Sequence, residues 1–175
     1  MILVTPDYCR IMARYNHWQN ESLATAAETI SDAARREDRG AFWGSMFGTF
    51  NHLLWGDCMW LSRFNQVPPP PVDLPDSAKL MPEWPDFTKK RREIDQVILD
   101  WTTKMAEADT QGELHYHSTA FGGQLTRPIA VGLVHFFNHQ THHRGQIHEM
   151  LTAAGAKPDI TDLIGLPELM DAPKT

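Results

Sequence analysis

Cysteine is scarce in this chain: among 175 residues only Cys9 and Cys58 occur, with no CxxC spacing. That fits a reducing cytoplasm better than a disulfide scaffold, with both residues read as buried thiols. Long apolar runs are also missing. None approaches the ~20 residues a membrane-spanning helix needs. The opening MILVTPDYCR has no basic segment and no apolar segment before Pro6, so it does not read as a secretion signal. Positive charge is in deficit: the formal net charge is -6, and the one basic run, Lys89 to Arg92, is short and followed by acids. Phosphate backbones need a basic surface, so nucleic acid is not an expected partner. There is no HExxH for a zincin and no pair of ExxH motifs for a di-iron carboxylate bundle. What remains, with 42% hydrophobic and 22% charged residues, is one globular domain over 1–175, expected to be cytoplasmic and to act on a small molecule.

Helical periodicity dominates what is present. Thr5 and Pro6 read as an N-cap and first helical position, followed by Tyr8, Met12, Tyr15, Gln19, Leu23, Ala26 and Ile30, which predicts a first helix over about 6–30. After the charged turn SDAARREDRG, the proline-free apolar stretch from Ala41 to Phe64 predicts a second helix, stopped by VPPPPVDLP. That segment reads as a stiff connector rather than a polyproline ligand. A third helix follows Trp84-Pro85, with Ile94, Val97, Ile98, Trp101 and Met105 on one stripe and Lys89 to Glu93 read as solvated surface. Between Gly112 and Arg127, alternation around Gly122-Gly123 suggests a small hairpin or irregular loop. Thr126 and Pro128 then open a fourth helix that ends at Gly155, and a short helix near 160–170 is compatible with the rest. The expected class is all-α: a four-helix bundle with long connectors and a hairpin-like insertion before the last long helix.

That last helix contains HFFNHQTHHRGQIHEML, which holds five of the nine histidines. At ~100° per residue, Leu133, Phe136, Ile147, Met150 and Leu151 define a core face, with His143 inside it and His139 at its edge. Being i, i+4, these two imidazoles stack on one side of the helix. Buried together they would disfavour each other's charged form, an arrangement that a shared metal ion makes favourable. His52 on the second helix offers a third nitrogen, and Ser45, Gly48, Thr49 and Gly56 on its face predict a hollow around it. His135, His142 and His148 fall outside the core face, His17 reads as exposed, and His115 and His117 sit in the hairpin. Asp57 lies too far around the helix to be a ligand. Gln146 is placed to orient His139 or a bound water, Tyr15 to donate into the site, and Arg144 reads as a surface or dimer-contact residue.

FNHLLWGD at 50–57, followed by NHxxHHRGQ at Asn138 to Gln146, resembles the DinB-like metalloprotein family, and TPDYCRIMARYNHWQN is similar to its first helix. The resemblance spans nearly the whole chain. It implies an atypical four-helix bundle, commonly a homodimer, with a divalent metal on His52, His139 and His143. It also implies kinship with thiol-dependent enzymes, the mycothiol-dependent maleylpyruvate isomerases and bacillithiol S-transferases. The expected cofactors are therefore zinc or nickel and a low-molecular-weight thiol, with metal-activated water as the near alternative and a non-catalytic metal-binding bundle as the rival class.

Overall fold

The computed structural model describes residues 4–170, so the outermost residues of the expected 1–175 domain lie outside the described residues. Helix α1, Pro6–Glu28, starts where expected: the Thr5 hydroxyl accepts the Tyr8 N–H and proline occupies the first turn. The charged segment after it is not a plain turn. It forms a one-turn helix α2, Asp32–Arg36, capped by Ser31, then a two-stranded antiparallel ribbon of β1, Asp38–Ala41, and β2, Gly44–Ser45. Buried Arg35 of α2 donates to the Ala27 and Ile30 carbonyls and so closes the C-terminal end of α1.

Helix α3 is Met46–Arg63, five residues shorter at its start than the apolar run implied. The reason is local: Gly44 sits at φ 75°, a turn conformation, and the Ser45 hydroxyl accepts the Gly48 N–H as an N-cap. The proline connector leads into a 3-10 turn at Leu74–Lys79 that lies against α3. Three hydrogen bonds pin it there: Trp55 Nε1 donates to the Val72 carbonyl, His52 Nδ1 meets Ser77 Oγ, and the Met81 N–H donates to Asn51 Oδ1. Helix α4 is Trp84–Lys104. The expected hairpin is real: β3, Glu113–Ser118, pairs antiparallel with β4, Gly123–Pro128, so Thr126 is a strand residue rather than a cap. Helix α5, Ile129–Ala153, ends with Gly155 at φ 84°, and a short α6, Pro167–Met170, follows a 3-10 turn at Leu163–Gly165.

The fold is thus mostly helical, with four long helices and two small antiparallel sheets. Helix α1 lies along α4 and α5, while α3 lies along α5 and α4. Leu23, Leu53, Leu54, Leu61, Phe87, Ile98, Phe136 and Ile147 fill the space between them. All five residues expected on the core face of the last helix are buried.

Within this core runs a charged network that periodicity did not reveal. Asp57 and Arg91 are 0% and 3% exposed, so the Lys89 to Glu93 stretch is not all solvated surface. The Arg91 guanidinium donates to Asp57 at 2.6 Å and lies 2.8 Å from Asp95. Gln140 of α5 donates to the other Asp57 oxygen at 2.9 Å, and Asn20 of α1 donates to Asp95 at 2.8 Å. Arg144, read from the wheel as a surface residue, is also buried; it donates to Asn16 of α1 and lies over the Tyr15 ring. Burial pushes the Asp57 and Asp95 carboxyls up from their ordinary range, and Arg91 opposes that rise. Removing one partner strands the others in low dielectric. Asp57→Asn is expected to cost about 3–5 kcal/mol in denaturant unfolding at unchanged m-value. Glu21→Gln, at the exposed Arg92 pair, should cost less than about 1 kcal/mol.

Candidate metal centre

Helices α3 and α5 bring His52, His139 and His143 together, as expected. One ring nitrogen from each lies within 4.8 Å of the other two, and His52 Nε2 is 3.2 Å from His139 Nε2. A cation bonded at about 2.0–2.1 Å to two imidazoles in tetrahedral geometry separates their nitrogens by about 3.3–3.4 Å. The spacing of this pair is therefore that of one edge of such a site.

Each ring is held from behind. Gln146 Oε1 can only accept, so His143 Nδ1 at 2.7 Å donates to it and leaves Nε2 free as a ligand. Gln146 thus orients His143 rather than His139. His52 Nδ1 is bonded to fully buried Ser77 at 2.9 Å, which turns Nε2 toward the other two rings. Trp43, from the turn between β1 and β2, stacks on the His52 ring at 3.8 Å between centroids. Neither Ser77 nor Trp43 was picked out from sequence. Gly44-Ser45, a turn glycine followed by a cap, was the signal that Trp43 lies outside the helix; nothing in the sequence marked Ser77.

The small residues around His52 admit close neighbours, and Gly56 also lines a cavity beside His139. A Cβ on Gly56 would sit 2.5 Å from His139 Cε1, and one on Gly48 would sit 2.3 Å from the Trp43 carbonyl oxygen. Glycine at 56 gives His139 its place beside α3, and glycine at 48 lets the Trp43 turn close over His52.

Burial, reinforced by the neighbouring imidazoles, pushes His52 down to about 3 and His139 to about 2; burial lowers His143 as well, against its bond to Gln146. The three rings are neutral at ordinary pH and present lone pairs to a common point, the protonation state that metal binding needs. The donor set therefore fits a divalent transition-metal ion. Among the described residues no fourth His, Cys, Asp or Glu joins the cluster.

Among the described residues no other histidine joins the ligand set, although His142 packs edge-on against His143 with ring centroids 4.9 Å apart. His142 is exposed and His148 half-exposed; His17 is half-buried on α1, and His115 and His117 lie exposed on the hairpin. Tyr15 does not reach the site, because its hydroxyl donates to the Thr161 carbonyl. Asp57 is committed to Arg91 and Gln140. Burial pushes Cys9 up to about 12 and Cys58 to about 11, so neither thiol is a nucleophile at neutral pH. His135 packs on Trp60 and His139. Together these line a cavity of about 510 Å³ between α3, α5 and the β3–β4 hairpin, with His139 in its wall.

The DinB family model matches residues 6–174. A solved structure of a DinB-like protein from Bacillus cereus ATCC 10987 aligns with a TM-score of 0.61 at 16% identity, covering 82% of this chain and 90% of that one. At that identity the likeness speaks to fold. No curated protein sequence matches. The geometry of His139 yields a direct test. Gly56→Ala should gain helix propensity of about 0.5–1 kcal/mol yet displace His139. We expect metal affinity in a chelator competition to fall by about 10- to 100-fold with the helical circular dichroism unchanged.

Proposed function

Because the chain belongs to the DinB family, we propose that it is a four-helix-bundle enzyme in which His52, His139 and His143 hold a divalent ion, zinc or nickel, that activates a low-molecular-weight thiol. The proposed reaction is thiol S-transfer to, or thiol-assisted isomerisation of, a small electrophilic molecule. The observation that carries this reading is the convergence of three neutral imidazoles, one of which, His139, stands in the wall of a cavity large enough for a small molecule. Three protein ligands in that arrangement are the mark of a site with room for an exogenous ligand. The proposed setting is a cytoplasmic homodimer, following the family resemblance; among the described residues no helix is long and apolar enough to cross a membrane.

A divalent ion at these rings would hold a thiol in its deprotonated form, or lower the pKa of a water, at neutral pH. The chain's own residues do the positioning. Ser77 and Gln146 fix the ring orientations of His52 and His143, Gly56 fixes the place of His139, and Trp43 shields one face of His52 from solvent. Trp55, Met59 and Trp60 give the cavity an apolar wall beside the imidazoles, where polar interactions gain strength from low dielectric.

Chelation is the deciding experiment. Protein purified without an affinity tag should contain one transition-metal ion per chain. Removing it should abolish thiol-dependent turnover of electrophilic acceptors while most of the helical circular dichroism persists, and zinc or nickel should restore activity; His52→Ala should behave like the stripped protein. Turnover with the metal but without any thiol would favour the hydrolytic, water-activating form. Unfolding on chelation would instead identify a structural metal in a non-catalytic bundle, and absence of stoichiometric metal would sink both readings.

A further inference from the structure

Arg63, at the C-terminal end of α3, stands apart from the other arginines that are at least partly buried. Arg10, Arg35, Arg39, Arg91 and Arg144 each donate to a carboxylate, an amide oxygen or a main-chain carbonyl. Among the described residues Arg63 makes no hydrogen bond and no ion pair, although it is half-buried and burial pulls its pKa down. Its guanidinium carbon lies 4.5 Å from the Trp60 ring centroid and 4.3 Å from that of Tyr116. Aromatic faces stabilise a guanidinium through its plane and leave the in-plane N–H groups free for an acceptor. This cation touches two aromatic rings and leaves its five donors unused.

Its location gives the donors a purpose. Arg63 lines the same cavity as His139, and lies two turns, about 10 Å, along α3 from Gly56, the residue that His139 touches. The Trp60 ring that Arg63 lies over also packs on His135, whose ring packs on that of His139, so one line of contacts joins the hairpin end of the cavity to the imidazoles. Arg127 of β4 adds a second cation to the wall. The acid in the lining, Asp73, is exposed on the proline connector and does not pair with Arg63. Between the two ends the wall includes Met59, Trp60 and Val131. The cavity therefore has a cationic end, an apolar middle and a cluster of imidazoles at the other end.

We propose that Arg63 anchors the carboxylate of an organic anion whose apolar body fills the cavity and whose far end reaches His139. The proposal rests on the metal-centre reading for what happens at the far end, but not for the anchoring. A planar fork of N–H donors on an aromatic support suits bidentate capture of a carboxylate, and the apolar middle suits an aryl or alkyl chain of several bonds. A lysine in the same position would offer a point charge without the fork or the stacking. Arg63 would thus set which molecules enter rather than take part in bond making.

The test uses equilibrium binding, which does not need turnover. Isothermal titration would compare 3-phenylpropanoate, 4-phenylbutanoate and 5-phenylpentanoate with their uncharged primary amides, in metal-free and zinc-loaded protein. At least one acid should bind saturably to both forms, about 10- to 100-fold tighter than its amide. Arg63→Met should erase that discrimination while keeping the amide's affinity, Arg63→Lys should retain part of it, and His52→Ala should leave it intact in metal-free protein. Failure of all three acids to bind, equal affinity for acid and amide, or discrimination that survives in a folded Arg63→Met protein would overturn the proposal. If metal binding fails but the acid preference stands, the anchor survives and the metal reading falls; the reverse result separates them the other way.

Discussion

A carboxylate with no exposed surface stays charged only if the chain supplies its counterion and its hydrogen bonds, and Asp57 draws these from two helices at once. Arg91 comes from α4 and Gln140 from α5. Because both bonds must be made together, α3 cannot slide along α5 or rotate against α4 without leaving a buried charge unpaired. Gln140 follows His139 directly, and Asp57 follows Gly56, so the bond between them fixes the same level of the helix pair at which His139 enters the space above Gly56. The position of the imidazoles is thus inherited from an electrostatic constraint next to them rather than from contacts among the rings. Arg91 carries the constraint onward to Asp95, and Asn20 ties that residue to α1.

The cluster combines two environments. On the α5 side His143 is buried and fixed by a neighbour one turn away in its own helix. On the α3 side His52 is held by residues brought in from outside the helices: Ser77 on the connector and Trp43 on the ribbon turn. His139, between them, is the ring that borders the cavity. Two supports come from irregular segments, yet each such segment is itself tied down, the connector by Trp55 and Asn51 and the ribbon by the close approach that Gly48 allows. Irregular backbone here acts as rigid scaffolding.

Much of this was legible in the sequence. The four long helices follow from 3.6-residue periodicity and cap chemistry, the hairpin from alternation around Gly122-Gly123, and the stacking of His139 with His143 from their i, i+4 spacing, because these features are local, whereas His52 joins them across 87 residues by the pattern of the second helix and the family resemblance. The misreadings have a common cause. Arg91 and Arg144 are charged, and a helical wheel assigns charge to solvent unless a partner is known. Arg91 has Asp95 one turn away but finds Asp57 34 residues away, and Arg144 finds Asn16 128 residues away. The same limit applies to Ser77, whose role depends on where a proline-rich segment lands. The apolar run predicts helix over residues 41–45 because composition does not distinguish a stacked turn tryptophan from a core one; Gly40 and Gly44, on either side of Trp43, both adopt positive φ and keep that stretch in the ribbon turn. The small residues near His52 mark points of close approach, and at Gly56 also the wall of the cavity.

The spacing of the histidines along the chain bears on how strongly a metal could stabilise the fold. His139, His142 and His143 are nearly adjacent in sequence, and His135 is one turn earlier. They therefore remain close together even when the chain is unfolded, whereas His52 meets them only after an 87-residue separation has been closed. An ion can thus be captured by the denatured ensemble through the local group alone. Ligand linkage counts only the difference between the affinities of the two states. The increment that metal adds to the free energy of folding is then set by His52, the distant member, and falls short of the total binding free energy by whatever the α5 segment retains as a disordered peptide.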